Sequence, residues 1–224
     1  MKSEMQRIAI LGSAFNPPHL GHLDILNQIA WEFDEIWLVP SYCHAFGKVM
    51  APFKDRMAMT RNLAQAFDGF ECDSPIKPQI IVSDIEARIG KMKDSPVYTY
   101  DLLDQVETEY HSRNKRCNLT FVIGPDNAEP KVWSRFHRSK EILERWSVRR
   151  VTERMSVRSS QIRELIADFN RPKRLLMARL KSFTPLAIAD YIGEKQLYRN
   201  AQSLRHYCYN PEEKVQQQEL LSRG

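Results

Sequence analysis

Apolar positions along this chain alternate between two rhythms. Residues 7–11, Arg-Ile-Ala-Ile-Leu, form a short β-rich run, and Leu23, Leu26, Ile29, Ala30 and Phe33 then recur at helical spacing. Residues 35–39 form a second apolar run that stops at Pro40. The same alternation predicts helices over 53–67 and 99–111 and strands over 79–82 and 119–123. A helix end and a fifth strand fall within 143–151, and helices over 159–169 and 185–197 close the ordered part. Strands alternating with helices predict an α/β fold, with a doubly wound, mainly parallel Rossmann-like sheet and C-terminal helices. Ligands in such sheets bind beyond the carboxyl ends of the strands.

Composition narrows the class without changing that picture. The 224 residues are 42% hydrophobic and 27% charged, the balance of a globular domain, and no Gly- or Ser-rich linker divides them. One domain is expected over 1–199, with 200–224 a polar, Gln-rich and loosely packed tail. No apolar run is as long as a membrane span and the N-terminus has no secretory apolar core, so the expected location is the cytoplasm. Cys43, Cys72, Cys117 and Cys208 lack metal-type spacing. The net charge of +5 is spread among acids, which points to small anionic substrates and not to nucleic acid.

Candidate chemistry concentrates at the end of the first strand. In Gly12-Ser13-Ala14-Phe15-Asn16-Pro17-Pro18-His19-Leu20-Gly21-His22, a glycine turn leads into a helix start carrying two histidines three residues apart. That spacing puts both imidazoles on one face, beside free backbone N–H groups and the positive end of the helix dipole. Residues 155–163, Met-Ser-Val-Arg-Ser-Ser-Gln-Ile-Arg, place Ser159 and Ser160 before another helix. Taking Ser160 as the cap leaves Arg163 where a capping box would have Glu or Gln, an inversion that a bound anion would explain.

Together these segments resemble the nucleotidyltransferase superfamily. Gly12, Phe15, Pro17, His19, Gly21 and His22 match its G-x-F-x-P-x-H-x-G-H signature, and Ser159, Ser160, Ile162 and Arg163 match its I-S-S-T-x-I-R motif, with Gln161 in place of Thr. Further segments resemble the nicotinate mononucleotide adenylyltransferases along nearly the whole chain. They are His44-Ala-Phe-Gly-Lys48, Pro52-Phe-Lys-Asp-Arg56, Val97-Tyr98-Thr99-Tyr100-Asp101, and Gly124-Pro125-Asp126 with Trp133, with 186–198 as the closing helix.

The resemblance implies a nucleotidyltransferase fold and transfer of AMP from ATP to nicotinate mononucleotide, giving deamido-NAD and pyrophosphate, with Mg²⁺ accompanying ATP. It makes His19, His22, Lys48 and Arg163 the catalytic set and places Gly12, Ser13, Ala14, Phe15, Asn16, Gly21, Ser159 and Ser160 on ATP. Arg56, Tyr98, Thr99, Asp126 and Trp133 would face the mononucleotide. The nucleophile would be a phosphate oxygen, largely ionised near neutral pH, so the site has to supply positioning and positive charge and not a base. The loop holding Lys48 is about one residue longer than the family's and 146–158 is shorter, which leaves nicotinate and nicotinamide mononucleotide both open as substrates. A pantetheine-phosphate adenylyltransferase, a cytidylyltransferase and a catalytically silent nucleotide sensor are the competing readings. Oligomeric state has no signature in the sequence.

Overall fold

Why these residues form a sheet is visible in their burial. A computed structural model describes residues 5–43, 50–68, 77–93, 97–167 and 173–199. Strand β1 (Gln6–Ser13) turns Ile8 and Ile10 to one face and Ala9 and Leu11 to the other, all buried, as a central strand covered on both sides requires. Helix α1 (Leu20–Ile29), β2 (Glu35–Pro40), α2 (Phe53–Asp68), β3 (Gln79–Val82), α3 (Ile85–Met92) and α4 (Thr99–Ser112) follow. Then come β4 (Cys117–Ile123), the single turns α5 (Pro125–Ala128) and α6 (Pro130–Trp133), and α7 (Ser139–Arg145). Strand β5 (Ser147–Arg150), α8 (Ser159–Ala167), α9 (Lys173–Leu180) and α10 (Leu186–Lys195) complete the described order.

The five strands run parallel in the order β3-β2-β1-β4-β5. On one face Ala9, Leu11, Ile36 and Leu38 pack with Leu26, Met59, Leu63, Ile162, Ile188 and their neighbours, from α1, α2, α8 and α10. On the other, Ile8, Ile10, Val39, Phe121 and Ile123 pack with Ile89, Leu103, Val106 and Ile142, from α3, α4 and α7. Strand order reverses direction on either side of β1, so a crevice opens beyond the carboxyl ends of β1 and β4.

The alternating pattern therefore predicts the sheet closely, with β3 at its expected bounds. Three departures have physical causes. Helix α1 starts at Leu20, because His19 has extended backbone (φ −149°, ψ 173°) and caps the helix instead of lying within it. Gly12 is no turn: it lies inside β1, paired with Val39, and the chain reverses only after Ser13. Helices α3 and α9 and the single turns α5 and α6 were not expected, and α7 was expected only as a helix end near 143; it buries Ile142 alone among its seven residues, too little for a periodic signal. Among the described residues no helix is long and apolar enough to cross a membrane. The expected tail, 200–224, lies outside the described residues.

Candidate active site

The loop between β1 and α1 is built so that its carbonyl oxygens face backward. Phe15 takes a left-handed φ of 45°, an unfavourable conformation held by a ring with no exposed surface. The Asn16 carbonyl accepts from Arg163 Nη1 (2.7 Å), the Pro17 carbonyl from Ser159 Oγ (2.8 Å) and the Pro18 carbonyl from Thr184 Oγ1 (2.9 Å). The Ala14 carbonyl accepts from Arg56 Nη1 at 3.0 Å. Every buried carbonyl needs a donor, and carbonyls turned back leave the forward side free for an anion.

The histidines stand at the forward side. His19 caps α1 and His22 is its third residue; their rings lie 3.9 Å apart, centre to centre, tilted by 45°. His22 Nδ1 accepts the His19 backbone N–H at 3.2 Å, the return half of a capping box. That bond fixes the tautomer: with Nδ1 an acceptor, the neutral ring carries its proton on Nε2, 3.2 Å from Ser13 Oγ. Gly21 has its own reason, since a Cβ there would stand 3.0 Å from Cε1 and Nδ1 of His19 and push the imidazole away.

Burial holds both rings neutral. It pushes His19 down to about 4, with the Arg158 charge adding to the effect, and it lowers His22 well below the ordinary range, helped by His19. An unfolded histidine takes up its proton near 6.5, so between 6.5 and 4 the unfolded chain binds more protons than the folded one. Stability is therefore complete above that window and is lost as pH falls through it. For His19 the expected loss is about 1–2 kcal/mol between pH 7.5 and pH 5, read by urea unfolding. His19→Asn should remove that part of the pH dependence, and an unchanged slope would contradict the assignment.

Helix α8 corrects one expectation. It begins at Ser159, and Gln161 Oε1 accepts the Arg158 N–H at 2.8 Å, the glutamine half of a capping box. Arg163 is not a broken cap; it sits one turn further in and reaches Asn16. Ser160 is exposed.

The structure brings Ser13, Ala14, Phe15, Asn16, His19, Gly21, His22, Ser159 and Arg163 to one loop, and gives other expected residues different surroundings. Arg56 is 1% exposed, with its guanidinium on main-chain carbonyls. Asp126, 75% exposed at its side chain, lies 3.5 Å from Arg158 Nη2. Tyr98 is exposed, its ring 4.7 Å from that of His137, and Thr99 opens α4. Trp133 stacks on Phe136 with centres 4.8 Å apart. Lys48, with the rest of 44–49, lies outside the described residues.

Residues missed by the sequence reading are Thr184 and Tyr198, whose hydroxyl donates to Asn16 Oδ1 at 3.0 Å. Ala51 N–H donates to the same oxygen. With Oδ1 engaged twice, the Asn16 Nδ2 group points elsewhere, and it and His19 Nδ1 are buried without a hydrogen-bond partner. Two orphaned polar atoms at a helix N-terminus lined by cations suit a phosphate-bearing ligand.

A parallel sheet with this loop at its carboxyl edge defines an enzyme that handles nucleotide phosphates. A cytidylyltransferase-like family model matches residues 10–165. A Myxococcus xanthus protein named "Probable nicotinate-nucleotide adenylyltransferase" is 31% identical over 185 residues, 77% of this chain and 88% of its own. A crystal structure of a "Putative Nicotinate-nucleotide Adenylyltransferase" from Vibrio parahaemolyticus superposes with TM-score 0.67 at 27% identity, over 88% of this chain and 98% of that one. The Plasmodium falciparum nicotinic acid mononucleotide adenylyltransferase complexed with NaAD shares the fold, with TM-score 0.62 at 18% identity over 86% and 97% of the two chains. The chain belongs to the cytidylyltransferase-like family and, within it, to the nicotinate-nucleotide adenylyltransferases.

Proposed function

We propose that the protein transfers AMP from ATP to the 5′-phosphate of nicotinate mononucleotide, forming deamido-NAD and pyrophosphate in NAD biosynthesis. The observation that carries the reading is the pair of orphaned polar atoms, Asn16 Nδ2 and His19 Nδ1, buried beside two neutral imidazoles at the start of α1. The names of the relatives favour nicotinate over nicotinamide as the base.

A phosphate monoester supplies its own nucleophile, so the side chains need only align it and stabilise charge at the α-phosphorus. His22 Nε2–H is the donor aimed at the α-phosphate oxygens, and His19 serves the neighbouring phosphate. Ser160 and Arg163 hold the departing pyrophosphate together with the N-terminus of α8, where Ser159, its hydroxyl spent on Pro17, contributes its backbone N–H. Anionic phosphates favour the protonated form of His19, whose Nδ1 is unpartnered, so ATP binding should be accompanied by proton uptake at mildly acidic pH. Tyr98, Thr99, Asp126 and Trp133 remain assigned to the mononucleotide side, with Lys48 directed at its phosphate.

The described residues contain no cluster of three potential metal ligands. Guanidinium, imidazole and hydroxyl donors fit a Mg²⁺ that arrives on the ATP phosphates and keeps its waters. Bound there, Mg²⁺ neutralises phosphate charge.

The test is product identification and pyrophosphate release with Mg-ATP and, in turn, nicotinate mononucleotide, nicotinamide mononucleotide and phosphopantetheine. Turnover is expected with the first, with a higher kcat/KM than with the second. Turnover with phosphopantetheine alone would overturn the assignment, and nucleotide binding without any product would identify a sensor.

A further inference from the structure

We propose that Arg56 is a positioning residue of the phosphate site, acting through the three stretches of main chain it holds and not by touching a substrate. The inference rests on the reaction proposed above. The Arg56 guanidinium donates from Nε to the Ala51 carbonyl (2.9 Å), from Nη1 to those of Ala14 (3.0 Å) and Ser41 (2.6 Å), and from Nη2 to that of Tyr42 (3.3 Å). Its carbon lies 5.3 Å from the centre of the Phe53 ring.

These carbonyls belong to different parts of the crevice. Ala14 is in the loop that follows β1, Ser41 and Tyr42 follow β2, and Ala51 precedes α2. One planar cation ties the exits of two neighbouring strands to the entry of a helix. Ala51 is gripped at both ends, because its N–H is donated to Asn16 Oδ1 while its carbonyl accepts from Arg56. Loss of Arg56 would therefore release Ala14 directly and loosen Asn16 through Ala51, on either side of Phe15.

The chemistry explains why the residue is arginine. A carbonyl oxygen facing a triphosphate would repel it, so the loop must aim its oxygens inward, and each needs a donor there. Thr184, Ser159 and Arg163 each capture one loop carbonyl; Arg56 captures one and joins it to three others. Four acceptors spread around a plane match a guanidinium fork. A lysine ammonium offers three donors from a single point and cannot span them.

The experiment compares Arg56→Lys and Arg56→Gly with the parent enzyme, using steady-state kinetics with Mg-ATP and nicotinate mononucleotide together with thermal unfolding. In Arg56→Lys kcat should fall about 100-fold, the loss expected from misplacing reacting groups by about 1 Å, with both KM values within about threefold. Tm should fall as well, by roughly 5 °C. Guanidinium ion at millimolar concentration should restore both kcat and Tm of Arg56→Gly by mass action on the vacated site. A lowered Tm with parental kcat would make the contact structural only, and a parental Tm with a raised KM for the mononucleotide would make it a substrate contact. Either result overturns the proposal.

Should neither variant fold, the parent still decides. The Nε–H resonance of Arg56 should be protected from exchange and keep its position when a non-hydrolysable ATP analogue and the mononucleotide are added together. A loss of protection or a large shift would overturn the proposal. A parent without turnover would count against the proposed reaction, while the unfolding and resonance readouts would still report on Arg56.

Discussion

His22→Ala should lower kcat by about 10³-fold while leaving the affinity for ATP within about threefold of the parent. The ring is buried against Phe15 and His19, and its Nδ1 is already committed to the His19 N–H. Its one remaining donor is Nε2–H, held 3.2 Å from Ser13 Oγ and transferable to a phosphate oxygen, so the ring is poised for charge that grows at the α-phosphorus and not for ground-state binding. Burial lowers its pKa well below the ordinary histidine range, so the unliganded enzyme has no imidazolium at His22 to lose as pH rises. The free-enzyme limb of the kcat/KM profile should therefore show no step from His22 between neutral pH and pH 9. Asn in place of His22 keeps a donor near that point and should recover part of the loss. Parental kcat in His22→Ala, with ATP turned over to the same product, would refute the assignment.

The second large effect is expected from Arg163→Lys. Arg163 holds the Asn16 carbonyl through Nη1 at 2.7 Å, and the rest of its fork is available to a departing pyrophosphate. Lysine keeps the charge but cannot serve a carbonyl and a phosphate in fixed relation. We expect kcat/KM for ATP to fall by about 10²-fold, with calorimetry showing ATP bound roughly tenfold more weakly. A variant indistinguishable from the parent would show that charge alone matters at this position. Unfolding measurements should find only a small change, because the side chain is half-buried and the helix keeps its cap from Gln161.

Those two residues were legible in the sequence because their spacing relative to a strand end or a helix start carries the information. The strands were legible for a similar reason: β1 shows its two faces as Ile8 and Ile10 against Ala9 and Leu11. Short elements were less so. Helix α7 presents a single buried side chain and showed only its end, and β5, expected somewhere within 143–151, reads Ser-Val-Arg-Arg, which leaves its bounds open. The braces of the loop were illegible for a different reason. Thr184 and Tyr198 act on Pro18 and Asn16 across 166 and 182 residues, and Arg56 acts on carbonyls, which every residue type possesses. No local pattern records such bonds, so the role of Arg56 behind the crevice emerges only from the folded chain. Arg163 was found through an argument about capping that the structure replaces with Gln161, although the residue itself stands at the loop.

The long reach of Thr184 and Tyr198 bears on how the protein matures. The phosphate loop leaves the ribosome well over a hundred residues before Thr184 and Tyr198, whose side chains grip Pro18 and Asn16 across 166 and 182 residues. Pairing of such high sequence separation is slow to form, and synthesis proceeds at only about 5–20 residues per second. A nascent chain of this enzyme can thus lay down β1, α1 and β2 while its nucleotide loop still lacks the grip of Thr184 and Tyr198. Competence arrives only when the segment carrying Thr184 and Tyr198 has been made.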